Sequence, residues 1–460
     1  MNRTVGIVML CCLSLSGLGA GTLLWRVQQQ ATTLHGSVLL GGYSLSGVPL
    51  EELTLHLESI GDALASVPLA PIEAPRASAS LREWGIELDP QRTAQAIQSA
   101  WSQVPLMIRL FGSPRVRFEP QWRVNQAQLQ ARLQAFRRLS RPPRDAQVRF
   151  QQGRVVLVPE QVGRRYVPAI AEQNLFHALH LHLTNPALAG QPIAFSLGLE
   201  PIPPRLTQES LRAITGVMAS YTSRFPGYEV ARNHNIRLAA QALDGRVLMP
   251  GERLSYNEAV GARTLKEGFK LAPVIINGEK RLGVGGGICQ VSSTLYNAVL
   301  LGEVKVVRRV NHSIPVTYVP LGRDATVTDG GLDFVIENNY DHPIALSVEL
   351  GRSTLTIRIL GQSRAGRRVV LSTERTTLRS PTVKEVPDPN LPEGTRKVRQ
   401  KGTAGVRVVL WRTVYQDGVL VKRERVATSV YRAQPQIVAV GTRKVRAPVP
   451  VVEPETPPAR

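Results

Sequence analysis

The segment of residues 283–300, GVGGGICQVSSTLYNAVL, constrains the fold of this chain more than any other. A run of glycines allows positive φ angles and close approach to a neighbouring backbone: Gly285, Gly286 and Gly287. Apolar residues then recur at helical spacing: Val291, Leu295, Ala298 and Val299. The segment therefore predicts a helix with a buried face, and it places Cys289 in the first turn.

Cys289 is a candidate nucleophile because of this position. Free backbone N–H groups and the helix dipole at a helix N-terminus stabilise a thiolate, which is the reactive form of cysteine. The alternative is a buried, inert cysteine in a packed helix, which is common for this residue type. The neighbouring glycine run favours the functional interpretation.

The N-terminal segment predicts export. Residues 4–25 contain no charge, lie between Arg3 and Arg26, and are long enough to span a hydrocarbon core of ~30 Å, with Trp25 at the interface. We expect a single-pass membrane anchor with the bulk of the chain extracytoplasmic, in the cell envelope. A cleaved signal peptide is the alternative, since small residues precede position 21 (Gly17, Gly19, Ala20). Cys11 and Cys12 lie within the apolar run, so Cys289 is the cysteine left for the outside, free or paired between molecules.

The formal charge of +21 predicts an anionic partner. Aromatic residues make up only 5% of the chain, which argues against platforms that stack nucleobases, and export argues the same way. No nucleic acid partner is expected. Basic clusters at residues 137–144 and 396–401 are suited to anionic wall polymers or lipid head groups, although each could be a solvated face.

A chain of 460 residues is too long for one ordinary core, and its patterns predict an α+β multidomain protein. The expected parts are an anchor at 1–30, an α+β region of one or two modules at 35–205 and a central α+β domain at 206–365. A small all-β domain at 380–445 and a Pro-rich tail at 446–460 follow. In the first region a weak repeat places helices after Gly85 and Gly163, with a hairpin turning at Gly153. In the central domain, apolar runs predict one antiparallel sheet packed on the Cys289 helix: 304–310, 314–320, 333–339 and 343–350.

Five segments of the central region resemble the VanW family: RNHNI at 232–236, PGERLSYN at 250–257, GGGICQVSSTLYNA at 285–298, NHS at 311–313 and GRDATV at 322–327. The preceding region resembles the peptidoglycan-binding domain that often comes before this block in YoaR-like proteins. The region after it, including residues 385–410 and 417–431, is similar to the five-glycine domain of extracellular proteins. The resemblance implies an envelope protein but no particular reaction. Together with the charge and the apolar N-terminal segment, it predicts a protein that binds peptidoglycan or another anionic wall polymer and uses the membrane anchor.

Nucleophilic catalysis by cysteine needs a base and a group that orients the base. His312 is the first histidine after Cys289, and Asp324 follows at the start of the next apolar run. A cysteine on a helix, then histidine and aspartate on successive strands, resembles the order in transglutaminase-like thiol enzymes, although histidine and aspartate are closer together here. The sequence thus predicts a Cys289–His312–Asp324 triad for acyl transfer or hydrolysis on a wall peptide. Alternatively, His312 bonds a loop carbonyl, Asp324 caps a turn, or Asp333 is the third member.

Other polar residues near the glycine run have two interpretations. Gln290, or the backbone N–H groups of residues 287–289, could stabilise an oxyanion. Asparagines could line a groove for glycan or peptide: Asn257, Asn277 and Asn297. The hydroxyl groups that follow Cys289 could instead bond the backbone or face the sheet: Ser292, Ser293 and Thr294.

One cysteine and one nearby histidine are too few ligands for zinc, and the loop lacks the Gly-Lys-Ser/Thr ending of a phosphate loop, so no metal or cofactor is expected. A non-catalytic wall-binding or scaffolding protein remains the alternative, in which the glycine run is a structural turn.

Overall fold

The computed structural model describes residues 25, 27–28, 31–188, 190–276 and 279–444. Apart from Trp25, the expected anchor at residues 4–25 lies outside this part of the chain, as do Asn277 and the Pro-rich tail. Within the described residues, no helix has both the length and the apolar character needed to cross a membrane. The chain divides into two units: residues up to 144 together with 161–204, and residues 145–160 together with those from 205 onward. The domain limits expected from the sequence stay predictions.

The first unit is an α+β structure with its own apolar core. Up to residue 204, the helices of the described chain are α1 (Leu53–Ala65), α2 (Pro90–Gln103), α3 (Leu106–Phe111), α4 (Gln126–Gln134) and α5 (Pro168–Thr184). The strands of the same part are β1 (Ser37–Leu40), β2 (Tyr43–Ser44), β3 (Pro68–Pro71), β4 (Ala79–Ser80), β5 (Ile86–Leu88), β6 (Arg115–Phe118), β7 (Trp122–Val124), β8 (Gln147–Gln151), β9 (Arg154–Val158), β10 (Gly163–Arg165), β11 (Ile193–Phe195) and β12 (Glu200–Ile202).

Helices α2 and α5 confirm the helices predicted after Gly85 and Gly163. Each begins at a proline, whose fixed φ suits the first helical position. Asp89 also caps α2 by accepting a hydrogen bond from a backbone N–H. The helices and short strands surround buried Trp84, Trp101 and a set of leucines.

Strands β8 and β9 form the predicted hairpin and belong to the second unit. Its turn residues Gln152 and Gly153 both have positive φ, which is the geometry of a tight two-residue hairpin turn. Val148 from this hairpin packs with Leu206, Leu211 and Leu360 in a small core.

The second unit contains the predicted central helix. Its described helices are α6 (Gln208–Leu211), α7 (Val230–Gln241), α8 (Tyr256–Val260) and α9 (Ile288–Leu301). The strands up to residue 361 are β13 (Gly216–Arg224), β14 (Val247–Leu248), β15 (Arg253–Ser255), β16 (Leu271–Ile276), β17 (Glu279–Val284), β18 (Lys305–Arg308), β19 (Val335–Glu337), β20 (Ile344–Leu350) and β21 (Thr354–Gly361).

The expectation of one antiparallel sheet against α9 is wrong in part. Strands pair antiparallel in the order β13-β21-β20-β14, and α9 packs on β13 and β21 of this sheet. A separate sheet holds β15, β19 and β18, and β16 and β17 form a hairpin of their own. The pairing differs because β13 and β21, which the apolar runs did not single out, occupy the positions next to the helix.

Residues 314–320 do not form the predicted strand, and His312 and Asp324 do not lie on successive strands. The chain from 309 to 334 is a loop. Pro315 and Pro320 have no N–H group for a strand ladder, and further along the loop side chains of α9 bond the backbone of Arg323 and Ala325. The alternating pattern at 314–320 therefore marks a loop and not a strand.

The C-terminal part of the described chain is all β, as predicted. Its strands are β22 (Arg367–Arg379), β23 (Val383–Pro392), β24 (Arg396–Gln400), β25 (Gly405–Gln416), β26 (Val419–Tyr431) and β27 (Gln436–Arg443). Strands β22, β25 and β26 form a long antiparallel sheet, while β27 pairs parallel with β23 and antiparallel with β24.

Candidate active site

The glycine run lets α9 begin against the β16 backbone and helix α7. A Cβ on Gly286 would lie 2.5 Å from the carbonyl oxygen of Pro273, which is far too close for any side chain. Gly287 has a φ of 106° and immediately precedes α9, and a Cβ there would lie 2.9 Å from Cγ of Arg232. The run is therefore required by packing, and it fixes the first turn of the helix in place.

Cys289 occupies the first turn of α9, as predicted, and it is partly exposed. Every other residue from 288 to 300 is buried. In its protonated form the Cys289 thiol donates a hydrogen bond to the carbonyl oxygen of Val327 at 3.4 Å. The interpretation of Cys289 as a core residue therefore does not match its exposure.

The polar residues of α9 bind the loop that carries Asp324. Ser293 Oγ accepts from the N–H of Ala325 at 2.9 Å, and Ser292 Oγ donates to the carbonyl of the same residue at 2.7 Å. One turn further on, the Asn297 amide donates to the carbonyl of Arg323 at 2.8 Å. These side chains are structural, as one of the two sequence interpretations held, and they bring the loop against the cysteine.

His312 and Asp324 lie together beside Cys289. Nδ1 of His312 and Oδ2 of Asp324 are 2.6 Å apart, and the same carboxylate oxygen accepts the backbone N–H of His312 at 2.7 Å. The His312 imidazole lies close enough to the Cys289 thiol to lower the pKa of the thiol. Because Nδ1 faces Asp324, Nε2 is the nitrogen available to the sulfur. The three predicted residues thus form the geometry of nucleophile, base and orienting carboxylate.

Asp324 is 1% exposed and is held by two further residues. Arg309 donates to its carbonyl oxygen from Nε at 2.6 Å, and Nη2 lies 3.2 Å from the carboxylate. The Tyr431 hydroxyl donates to Oδ1 of the same carboxylate and accepts the N–H of Gly322 at 2.7 Å. The carboxylate is therefore kept ionised and fixed in orientation.

These contacts favour a thiolate–imidazolium pair. Burial opposes both charges, but the hydrogen bonds and charge of the partners outweigh it. Hydrogen bonds to Asp324 and Cys289 raise the pKa of His312 to about 9 despite burial. Burial by itself would raise the pKa of Cys289, but the hydrogen bond and charge of His312 lower it below its usual value. The Asp324 pKa is likewise lowered by His312 and Arg309 against the effect of burial.

Two other sequence candidates, Asp333 and Gln290, have structural partners. Asp333 accepts hydrogen bonds from Ser255 Oγ at 2.6 Å and from the backbone N–H of Asn257 at 2.9 Å, so it caps α8 and is not the third member of the triad. The Gln290 amide is buried and donates to Ser223 Oγ at 3.0 Å. Because its oxygen also accepts from Arg232, Gln290 is not free to bind an oxyanion.

Sequence reasoning missed two residues next to the triad. The ring of Tyr318 stands edge-on to His312 with centroids 6.5 Å apart. The Arg263 guanidinium lies close enough to Cys289 to help lower the pKa of the thiol. Neither residue belongs to a motif that marks a role, and only the folded chain brings them to the cysteine. Among the described residues, no group of three or more His, Cys, Asp or Glu side chains is placed to hold a metal ion.

Comparison with known proteins places two families on the second unit. The family described as VanW like protein matches residues 231–360, and the G5 domain family matches residues 371–443. The site described above lies within the first match, except for Tyr431 in the second.

Two relatives each match about 30% of the chain. The uncharacterized protein YoaR of Bacillus subtilis is 47% identical over 144 residues, which is 31% of this chain and 48% of that protein. The vancomycin B-type resistance protein VanW of Enterococcus faecalis is 28% identical over 140 residues, 29% of this chain and 50% of that protein. The chain therefore spans about half the length of these two relatives.

A solved structure titled as an IgA1 protease G5 domain is 31% identical and covers 17% of this chain and 94% of that chain. Its TM-score is 0.11, so the G5 assignment rests on the sequence match. From these matches, the chain contains a VanW domain at residues 231–360, followed by a G5 domain at residues 371–443.

Proposed function

We propose that the VanW domain is a cysteine-dependent acyl transferase or hydrolase that acts on an amide bond of a cell-wall peptide. The observation that supports it is the arrangement of Cys289, His312 and Asp324, with the carboxylate 2.6 Å from the imidazole and the cysteine partly exposed. A structural cysteine would need neither an aligned imidazole nor a buried carboxylate behind it.

The chemistry proceeds in two halves. The Cys289 thiolate attacks the amide carbonyl carbon, and the C–N bond breaks as the His312 imidazolium gives its proton to the leaving amine. This leaves a thioester on Sγ. An acceptor amine or water then attacks the thioester, His312 takes the proton of the acceptor, and the C–S bond breaks to restore the thiolate.

Backbone N–H groups are the candidates for stabilising the oxyanion in both halves. The Gln290 amide already has partners, whereas first-turn N–H groups of a helix lack intrahelical acceptors. The N–H of Cys289 lies in this turn, where the positive end of the helix dipole favours a developing negative charge.

The remaining parts of the chain support a location at the cell wall. The charge of +21 and the G5 domain favour binding of peptidoglycan or another anionic wall polymer. So does a cluster of exposed arginines in the first unit: Arg137, Arg138, Arg141 and Arg144. The vancomycin-resistance relative also supports an envelope role. We infer export with residues 4–25 as the membrane anchor, and the N-terminal region as a peptidoglycan-binding part.

Non-catalytic wall binding is the second candidate function, and the exposed arginine cluster favours it. On this account Cys289→Ser binds purified wall as well as the wild type does and fully restores a deletion phenotype. Loss of function in the folded Cys289→Ser variant, with wall binding kept, excludes this account.

Trapping of the thioester tests the catalytic proposal. Incubation of the ectodomain with peptides released from purified peptidoglycan should add a hydroxylamine-labile mass to the tryptic peptide that contains Cys289. His312→Asn should abolish this adduct, while His342→Asn serves as a matched control because His342 stacks on Tyr340 away from the triad. Consumption of the peptides by the folded Cys289→Ser variant refutes the proposal.

A further inference from the structure

Arg263 carries a buried charge that its protein partners leave unsatisfied. The residue is 8% exposed. Nη2 donates to the side-chain oxygen of Asn257 at 2.5 Å. Nε and Nη1 are also buried, and no acceptor for either is found in the described chain. A guanidinium has five N–H donors, so at least three of them point into protein without a protein acceptor.

The Arg263 side chain lies near the start of α9. The Arg263 guanidinium lies over the ring of Tyr256, 5.7 Å from its centre, and the Tyr256 hydroxyl donates to the carbonyl of Ile288 at 3.2 Å. Arg263 is also adjacent to the glycine run, because a Cβ on Gly285 would lie 3.6 Å from the Arg263 Cβ. The guanidinium is therefore next to the turn that holds Cys289.

Neighbouring groups hold Arg263 in place without neutralising it. The Asn257 amide donates to the carbonyls of Thr328 and Leu332, both at 3.1 Å, which turns its oxygen toward the guanidinium. The nearby Asp329 carboxylate accepts the backbone N–H of Arg263 at 3.3 Å and forms no ion pair with the side chain. A buried, unpaired charge destabilises a fold by several kcal/mol unless something completes it.

We propose that Arg263 binds a free carboxylate of the peptide substrate beside the amide bond that Cys289 attacks, and that Asn257 is the residue that positions Arg263. This inference rests on the proposed function and adds the substrate class, a peptide with a free carboxylate near the scissile bond. The planar guanidinium suits this ligand because its N–H groups match the two oxygens of a carboxylate. The ligand would supply the acceptors that the protein does not.

Protection of Cys289 from alkylation tests the inference by binding alone. Iodoacetamide labelling of Cys289 is measured by peptide mass spectrometry, with and without peptides released from purified peptidoglycan. One portion keeps its free carboxylates, and the other is amidated with carbodiimide and ammonia. The acid form should protect the wild type at concentrations roughly 10- to 100-fold lower than the amidated form. The ratio of rates with and without peptide cancels any change in thiol reactivity between variants.

Arg263→Gln should remove the preference for the acid form, and Arg263→Lys should keep only part of it because a lysine lacks the planar fork. Arg368→Gln is the matched control, since Arg368 also lies over a tyrosine ring, 4.6 Å from its centre, but on exposed β22. Any of three results overturns the inference. They are equal protection of the wild type by both forms, no protection by the acid form, and an unchanged preference for the acid form in Arg263→Gln. If only the acid form of the peptides protects Cys289 but no thioester forms, the catalytic proposal is refuted and the carboxylate site is kept. If a thioester forms equally from the acid and the amidated peptides, the carboxylate site is refuted and the catalytic proposal is kept.

Discussion

The polar side chains of the site converge on one residue, Asp324, whose carboxylate contacts His312, Arg309 and Tyr431. Cys289, His312 and Asp324 could be singled out from the sequence because few residue types serve as nucleophile, base and orienting acid, and the fold places them together. Arg309 and Tyr431 could not be singled out, because their roles arise from contacts with Asp324, which lies 15 and 107 residues away from them along the chain. No local pattern carries that information.

The same limit applies to residues that received the wrong role. Gln290 and Asn257 are polar and lie near the motif, so the sequence suggests contact with substrate. In the fold, Gln290 joins α9 to β13 and Asn257 holds Arg263. A polar side chain in a motif is therefore as easily a positioning residue as a ligand-binding one.

Replacing Asp324 with Asn should weaken both the site and the fold. The change removes the negative charge that Arg309 and protonated His312 require, and breaking a buried ion pair typically costs about 3–5 kcal/mol of unfolding free energy. Urea unfolding should show the loss, and Cys289 alkylation at neutral pH should slow. Asp62→Asn, which changes an exposed ion pair with Arg82, should leave the urea midpoint nearly unchanged.

The pH dependence of the Asp324 contribution follows from its lowered pKa. The stabilisation is present above the ordinary carboxyl value of about 4 and is lost as the pH falls through the lower value of the folded protein. Wild type and Asp324→Asn should therefore converge in stability in acid. A difference that stays constant down to acid-induced unfolding contradicts this assignment.

At the scale of elements, the apolar patterns predict helix α9 and the strands β18, β19 and β20, but they fail at residues 314–320. Helix α9 follows directly from its apolar spacing and its glycine run. The alternating residues 314–320 form a loop, and Pro315 and Pro320 within them have no N–H group to donate to a strand ladder. Alternation alone therefore does not distinguish a half-buried strand from a loop that follows the surface of the core.

Gly286→Ala tests whether the glycine run is needed for packing. The added Cβ would meet backbone atoms of Ala272 and Pro273 at 2.8 and 2.5 Å, and backbone cannot rotate aside. Overpacking of this kind typically costs about 1–3 kcal/mol, so the midpoint of thermal unfolding should fall.

Gly61→Ala is the opposite case and serves as control. This glycine lies inside α1, where an added Cβ meets only ordinary contact with Leu88 at 3.5 Å. Alanine is the better helix former by up to about 1 kcal/mol, so the variant should be as stable as the wild type or more so. If Gly286→Ala unfolds like the wild type, the close approach of α9 to β16 is wrong.

At the scale of the whole molecule, the G5 domain takes part in the VanW site. The hydroxyl of Tyr431, on β26, donates a hydrogen bond to the Asp324 carboxylate. The hydroxyl of Ser429, on the same strand, accepts one from Arg309 Nη1 at 2.7 Å. The backbone N–H of Arg432 donates to the carbonyl of Ser313, which is next to His312. The sequence indicates two separate domains in this region. Domain limits are inferred from changes in composition, and composition carries no information about contacts between neighbouring domains.

Tyr431→Phe should therefore lower the reactivity of Cys289 from a distance. The variant keeps the ring but removes the hydroxyl that Asp324 and Gly322 use, and an unsatisfied buried partner typically costs about 1–3 kcal/mol. Slower thioester formation with wall binding unchanged is the expected result. Tyr415→Phe, on neighbouring β25 beneath Arg368, is the matched control, and equal activity of the two variants excludes a positioning role for Tyr431.

The central claim is that Cys289 is a thiolate paired with the His312 imidazolium at neutral pH. The pH profile of iodoacetamide alkylation measures this directly, with mass spectrometry of the Cys289 peptide to separate it from Cys11 and Cys12. In the wild type the rate should reach half its maximum below the ordinary thiol value of about 8.5, and it should change again as the imidazolium loses its proton near pH 9. In His312→Asn the midpoint should move to 8.5 or above. A wild-type midpoint at or above 8.5 that His312→Asn leaves in place contradicts the account.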